Sequence, residues 1–426
     1  MAIRLLKKEK AVSDQDAKTL RNTVGAIIEQ VRKKGDAALR EYAKKFDGYE
    51  LPDVRVSPEE AGRAGDLLPP KVREELDFAM KQVAAFAEAQ KSCLVPFEKE
   101  LYPGMKMGHR VLPVESCGCY VPAGRYPCLT AAVMSVMPAK VAGVSRIVVC
   151  SSPGREGKIN TGILYTLHRM GVEEIYCLGG AQAIAALAYG TETIRPVNLV
   201  VGPGNRYVME AKKQVFGACG IDFLAGPSEV MVLADDTGSP EIIAADLLAQ
   251  LEHDPNARGS LVTTSESLAR RTIGAVEAQL ADLGTADVAG LSWKAGGEVA
   301  VCDSIEECAA YADEYAPEHL EIHTRNPREV MALLHNYGSL FLGEQTAEVF
   351  ADKISGTNHS LPTGAAAKYT GGLWVGNYLK IITHQESIDR RTTLMLARYA
   401  EVQAEYETME AHRKAATIRI KRYSAE

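Results

Sequence analysis

From about Glu115 onward, short apolar runs alternate with amphipathic stretches and glycine-rich turns. "GCYVPAG", "RIVVCSSPG", "EIYCLGG" and "NLVVGPGN" read as buried strands that end in loops. "AAVMSVMPAKVAGV", "INTGILYTLHRMGV" and "AQAIAALAYGT" between them read as helices. The pattern repeats downstream: strands at "VMVLAD", "GSLVTTS", "GEVAVCD" and "HLEIHT" alternate with helices at "SPEIIAADLLAQLEH", "SLARRTIGAVEAQLADL" and "SIEECAAYADEYA". Near-continuous apolar strands separated by helices are the signature of βαβ units on a parallel sheet. The chain therefore predicts two doubly wound, incomplete Rossmann-like α/β blocks. Whether one duplicates the other does not follow from periodicity.

The first hundred residues have a different texture. Leu20, Val24, Ile27, Ile28 and Val31 recur at helical spacing, with Ser13-Asp14 as a capping start and Gly35 as a stop. Two more helices follow, broken at Pro69-Pro70. The last fifty residues read as helical again, so helical N- and C-terminal extensions flank the α/β blocks.

The chain has 426 residues, enough for more than one domain, and its hydrophobic content of 46% supports a sizeable core. A net charge of −7 argues against a general nucleic-acid surface. No apolar run of ~18 residues or signal-peptide h-region is visible, so neither a membrane span nor export is expected. The nine scattered cysteines, without a CxxC pair, read as reduced thiols of a cytoplasmic protein, mostly small core residues.

Four clusters carry candidate chemistry. In "LLAQLEHDPN", Gln250 and His253 are three apart on one helical face, and Asp254-Pro255 ends the helix there. The pair reads either as half of a metal site or as a histidine favoured by the helix dipole at a C-terminus. Glu252 between them faces another way and suits either a structural role or one supporting the neighbouring site residues. In "YAPEHLEIHT", adjacent Glu318 and His319 point in different directions and suit two separate acid–base groups, or an exposed loop pair. Asp352, Asn358 and His359 lie in a polar loop segment, "FADKISGTNHSLPTG". Glu407 and His412 sit on a C-terminal helix, too far apart for helix geometry alone to join them. The glycine turns "VGPGNRY" and "CLGGAQA" allow close backbone approach but lack the usual dinucleotide fingerprint.

Over nearly its whole length, the sequence resembles the histidinol dehydrogenase family. The resemblance rests on "GCYVPAG", "LGGAQAIAALAYGT", "VGPGN", "DFLAGPSEVMVLAD", "DLLAQLEHDPNA", "APEHLEI", "GSLFLGEQTAEVFADKISGTNHSLPT" and "EAHRKAATIRI". It implies one zinc ion per subunit on Gln250, His253, Asp352 and His412, with His412 reaching the site of the other subunit of an intertwined homodimer. It implies Glu318 and His319 as the catalytic pair, Tyr120, Gln182 and Asn205 as NAD contacts, and Ser228, His359 and Glu407 as substrate contacts. The reaction implied is a four-electron, NAD-linked oxidation of a primary alcohol through a bound aldehyde to a carboxylate. The implied division is an arm at 1–20, a main zinc-carrying α/β domain at 21–119 and 227–373, an NAD-contributing α/β domain at 120–226, and a helical extension at 374–426 that reaches the partner.

The surroundings of the pocket depart from the biosynthetic members of the family. Lys353 follows Asp352 where those members carry a tyrosine, and Arg125-Tyr126-Pro127 replaces a small-residue run. Such cations repel an amine and favour an anionic tail. The pattern resembles the sulfopropanediol dehydrogenase branch, with Lys353 and Arg125 as candidate sulfonate partners and 2,3-dihydroxypropane-1-sulfonate as the small polar substrate. Glu407 points the other way, since a carboxylate suits histidinol's cationic end. A non-catalytic dimer of the same fold predicts loss of a ligand or of the Glu-His pair, and none is lost.

Overall fold

The computed structural model describes residues 4–8, 15–49, 53–123, 126–154 and 157–424. Its strands are β1 (Arg4–Lys7), β2 (Phe97–Tyr102), β3 (Met105–Pro113), β4 (Ser116–Val121), β5 (Arg146–Ser151), β6 (Glu174–Cys177), β7 (Leu199–Val201), β8 (Gly220–Ile221), β9 (Glu229–Ala234), β10 (Arg258–Thr263), β11 (Gly297–Val301), β12 (His319–His323), β13 (Ser339–Leu342) and β14 (Leu379–Ser387). The chain separates into two compact units. One comprises Met1–Ala89 with Val114–Tyr378, and the other Gln90–Pro113 with Leu379–Glu426.

The larger unit holds both doubly wound layers. One sheet runs β6-β5-β4-β7-β8 and is parallel throughout. The other runs β1-β11-β10-β9-β12-β13, parallel except for β1 at its edge. Numbered in chain order within each sheet, the parallel strands follow the same sequence: third, second, first, fourth, fifth. The two α/β blocks thus share one topology, which periodicity could not show.

Burial on both faces explains the continuous apolar runs. Val230, Val232 and Ala234 of β9 pack on Ile243, Leu247 and Leu251. Met231 and Leu233 face Leu320, Ile322 and Ala312 on the opposite side. The helix Gln15–Lys34 ends where Gly35 turns at φ 53°, but the expected Ser13-Asp14 start lies outside the described residues. Val24, Ile27, Ile28 and Val31 of this helix share a core with Ile184, Leu187 and Val208. Grouping by sequence puts this helix with 227–373, whereas its apolar stripe is buried against the β4–β8 layer.

The smaller unit combines an antiparallel sheet, β14-β3-β2, with the helices Arg390–Tyr406 and Glu410–Ser424. The C-terminal helices are present as expected. The nine-residue β14 precedes them, at a position the helical reading passed over. Among the described residues no disulfide joins the nine cysteines, and seven of them are buried. No described helix is long and apolar enough to cross a membrane.

Candidate active site

The helix Pro240–Leu251 begins where Ser239 Oγ accepts the Ile242 N–H and proline takes the first helical position. It stops at an aspartate turn: Asp254 Oδ1 accepts the Asn256 backbone N–H at 2.9 Å. Helical spacing sets Asp246, Gln250 and His253 along one side. Glu252 faces elsewhere, accepting a 2.7 Å bond from Thr285 Oγ1.

Strand β12 supplies a second polar row, because residues two apart share a face. His319, Glu321 and His323 lie on the face opposite Leu320 and Ile322, which are in the apolar core. The short helix Glu348–Lys353 supplies Glu348 and Asp352, one turn apart. These elements gather most of the carboxylates and imidazoles that the first unit buries.

The His319 Nδ1 lies 3.0 Å from the Glu229 backbone oxygen. A carbonyl only accepts, so this bond puts the proton on Nδ1 and leaves Nε2 with its lone pair. The Nε2 is buried without a hydrogen-bond partner, 3.9 Å from Glu348 Oε1. Burial pushes the imidazole pKa down to about 4, so the ring is neutral near pH 7. Glu318 Oε2 accepts the Glu229 N–H at 2.8 Å. Burial, followed by the charges of Glu229, Glu348 and Asp352, holds the Glu318 carboxyl well above its ordinary range. Burial pushes Glu348 up to about 8, with Asp352 and Glu321 adding to the shift.

Asp352 behaves oppositely. Burial alone would raise it, but His359 and Lys353 outweigh burial and hold it below the usual carboxylate range. His359 Nδ1 lies 2.9 Å from Asp352 Oδ1, and the Lys353 ammonium caps the other carboxylate oxygen. Lys353 is thus paired with its neighbour, its side chain 57% exposed. Burial lowers the pKa of His253; Asp352 opposes that shift, while Lys353 and His359 reinforce it. The buried Gln250 Oε1 has no hydrogen-bond partner. A carboxamide oxygen left over, a neutral imidazole and a charged carboxylate are a donor set that fits a zinc-like cation.

The 352–359 segment is tied to the other layer. Thr130 Oγ1 donates to the Asp352 carbonyl at 2.9 Å, and Asn358 Nδ2 to the Met134 carbonyl at 2.8 Å. In that layer, strand order reverses between β4 and β7, where ligands of open α/β sheets bind at the carboxyl edge. Tyr120 lies near that end of β4, its hydroxyl 3.1 Å from Ser152 Oγ and accepting the Gly180 N–H at 3.1 Å. Gln182 is buried in the first turn of Gly180–Tyr189. Asn205 caps the helix Arg206–Val215 through the Tyr207 and Val208 amides. Gly202, at φ 116°, sits against the Tyr120 carbonyl, where a Cβ has no room. The backbone turns therefore converge with no GxGxxG.

Ser228 is half-buried just before β9, its carbonyl accepting the Arg258 N–H at 2.9 Å. Glu407 and His412 are exposed in the smaller unit, where they line an open groove of about 520 Å³ with Gln403 and Arg419. Arg125 lies outside the described residues. Sequence reasoning passed over Glu348, Glu321, His323 and Asp246. The alternation His-x-Glu-x-His in "HLEIH" was the available signal for two of them.

A family model for histidinol dehydrogenase matches residues 10–420. The chain belongs to the histidinol dehydrogenase family. It is 40% identical over 425 residues to the sulfopropanediol 3-dehydrogenase of Ruegeria pomeroyi, covering 99% of this chain and 97% of that one. It is 41% identical over 405 residues to the histidinol dehydrogenase of Geobacillus kaustophilus, covering 94% of each. The crystal structure of histidinol dehydrogenase from Elizabethkingia anophelis matches with a TM-score of 0.90 at 36% identity, covering 98% of this chain and 94% of that one. Family membership makes the protein an NAD-dependent oxidoreductase acting on a CH–OH group.

Proposed function

We propose that the enzyme oxidises a primary alcohol to a carboxylate in two steps, keeping the intermediate aldehyde bound. The observation that carries this reading is the donor set of Gln250, His253 and Asp352 in the same buried seam as His319, whose Nε2 is neutral and unpartnered. Those three residues, with the partner subunit's His412, would hold zinc in a homodimer. Tyr120, Gln182 and Asn205 would line the NAD crevice at the β4/β7 switch point. Zinc bound there supplies a Lewis acid for the substrate oxygen, and NAD supplies the hydride acceptor.

The residues of the chain handle the protons. His319 Nε2 takes the alcohol proton, the ring held in the right tautomer by Glu229 O. Glu318 takes a proton from the water that adds to the aldehyde, and the Glu229 N–H favours the carboxylate this step needs. Ser228 and His359 border the pocket. One alcohol, one water and two NAD+ thus give one carboxylate, two NADH and three protons.

The substrate we favour is 2,3-dihydroxypropane-1-sulfonate. The Lys353 ammonium beside Asp352 supports it, since a cation on Asp352 would compete for the carboxylate and turn Lys353 toward an anionic tail. Arg125 is the second candidate sulfonate partner. L-Histidinol is the second reading, supported by Glu407 and by the equally similar relative from Geobacillus kaustophilus. Initial rates of NADH formation on the two alcohols, measured side by side with the zinc-loaded enzyme, decide between them. Turnover of histidinol alone excludes the sulfonate reading.

A further inference from the structure

Beside the donor set described above lies a second one. Asp246, on the helix Pro240–Leu251, meets Glu321 and His323 of β12, and one ligand atom from each lies within 4.8 Å of the other two. Glu321 is fully buried and His323 is 3% exposed. Both His323 ring nitrogens, Glu321 Oε2 and Asp246 Oδ2 are buried without a hydrogen-bond partner. His323 Nε2 lies 3.4 Å from Glu321 Oε2. Among the described residues, neither carboxylate pairs with a lysine or arginine.

Stranded polar atoms this deep are costly, and three of them, one from each residue, lie close enough to share one partner. A cation about 2.1 Å from each ligand spaces the ligands by up to about 4.2 Å, so a small contraction closes the cage. Two carboxylates and an imidazole make a hard-to-borderline N/O set, suited to zinc, manganese or cobalt. The alternative is a proton shared between Asp246 and Glu321, which would leave both His323 nitrogens without partners.

We infer that Asp246, Glu321 and His323 form a second, buried divalent-cation site, which clamps the helix that carries Gln250 and leads into His253 to the strand carrying His319. Its ligands are disjoint from Gln250, His253 and Asp352, so the two sites are separable. The test strips the full-length protein with chelator, reloads it with zinc alone, desalts it, and counts zinc per chain by mass spectrometry. The wild type should hold two, and His323→Ala, Glu321→Gln and His253→Ala one each. One zinc in the wild type, unchanged in His323→Ala and lost in His253→Ala, overturns this inference and leaves the proposed function standing. Two zincs in the wild type that survive His253→Ala, with one lost in His323→Ala, do the reverse. Cobalt titration of the unmutated protein provides a check that needs no variant to fold. Two successive saturating absorption phases support the second site, and a single phase at one equivalent excludes it.

Discussion

The turn after β7 rests on a buried ion pair, and breaking that pair should be among the costliest single changes available outside the site. Lys212 and Asp222 pair at side-chain exposures of 1% and 0%. Both also hold Gly202: the lysine donates to its carbonyl at 2.9 Å, and Asp222 Oδ2 accepts its N–H at 2.8 Å. Lys212→Met keeps the aliphatic stem and removes the ammonium, leaving an uncompensated buried carboxylate. Breaking such a pair from one side costs about 3–5 kcal/mol. At 1.4 kcal/mol per decade, the folded-to-unfolded ratio falls by roughly two to four orders of magnitude. The double variant Lys212→Met/Asp222→Leu removes both charges and loses the two bonds to Gly202, at about 1 kcal/mol each. The double should therefore be no less stable than Lys212→Met alone, a strong non-additivity. Urea unfolding reads this as a shift in midpoint at constant slope. A loss below about 1 kcal/mol in the single variant, or additive losses in the double, would refute the argument.

Three further outcomes follow. Glu318→Gln should slow aldehyde oxidation by at least tenfold more than alcohol oxidation, measured with each as the starting substrate; equal losses contradict its water-activating role. Lys353→Met should lower kcat/KM for the sulfonate alcohol by about tenfold, the scale of one charged contact, and raise or leave unchanged that for histidinol; parallel losses on both would remove Lys353 from substrate selection. Glu174 is held below its ordinary carboxylate range chiefly by a two-bond pairing with Arg146, at 2.7 and 2.8 Å. A depressed carboxyl stabilises the fold above its unfolded pKa, and that contribution disappears as pH falls through the folded value. The Tm gap between wild type and Glu174→Gln should thus be full at pH 7 and close below about pH 4; a gap independent of pH contradicts the assignment.

The legibility of the sequence followed burial. Strands such as β9 are covered on both faces, so "EVMVLA" announces itself as an apolar run. β2 and β14 are largely exposed along their length, and "FEKELY" and "LKIITHQES" carry no apolar face to read. They exist because each pairs with β3, a long-range fact absent from local pattern. The candidate site divides in the same way. Gln250 and His253 were legible because helical spacing is local. Their meeting with Asp352, Glu348 and the β12 row depends on the β9–β12 pairing and the docking of a short helix nearly a hundred residues downstream. Lys353 shows the limit of reading charge without geometry: the sequence marks a cation near the site, while the structure shows it occupied by Asp352.

The central claim is a four-electron oxidation on one buried seam. It is tested most directly by the yield of NADH from a limiting amount of 2,3-dihydroxypropane-1-sulfonate with excess NAD and zinc-loaded enzyme. The account predicts two NADH per alcohol, with sulfolactate as the product and no aldehyde released to a trapping reagent. One NADH per alcohol with free aldehyde, or no NADH from this alcohol beside a full yield from histidinol, would contradict it.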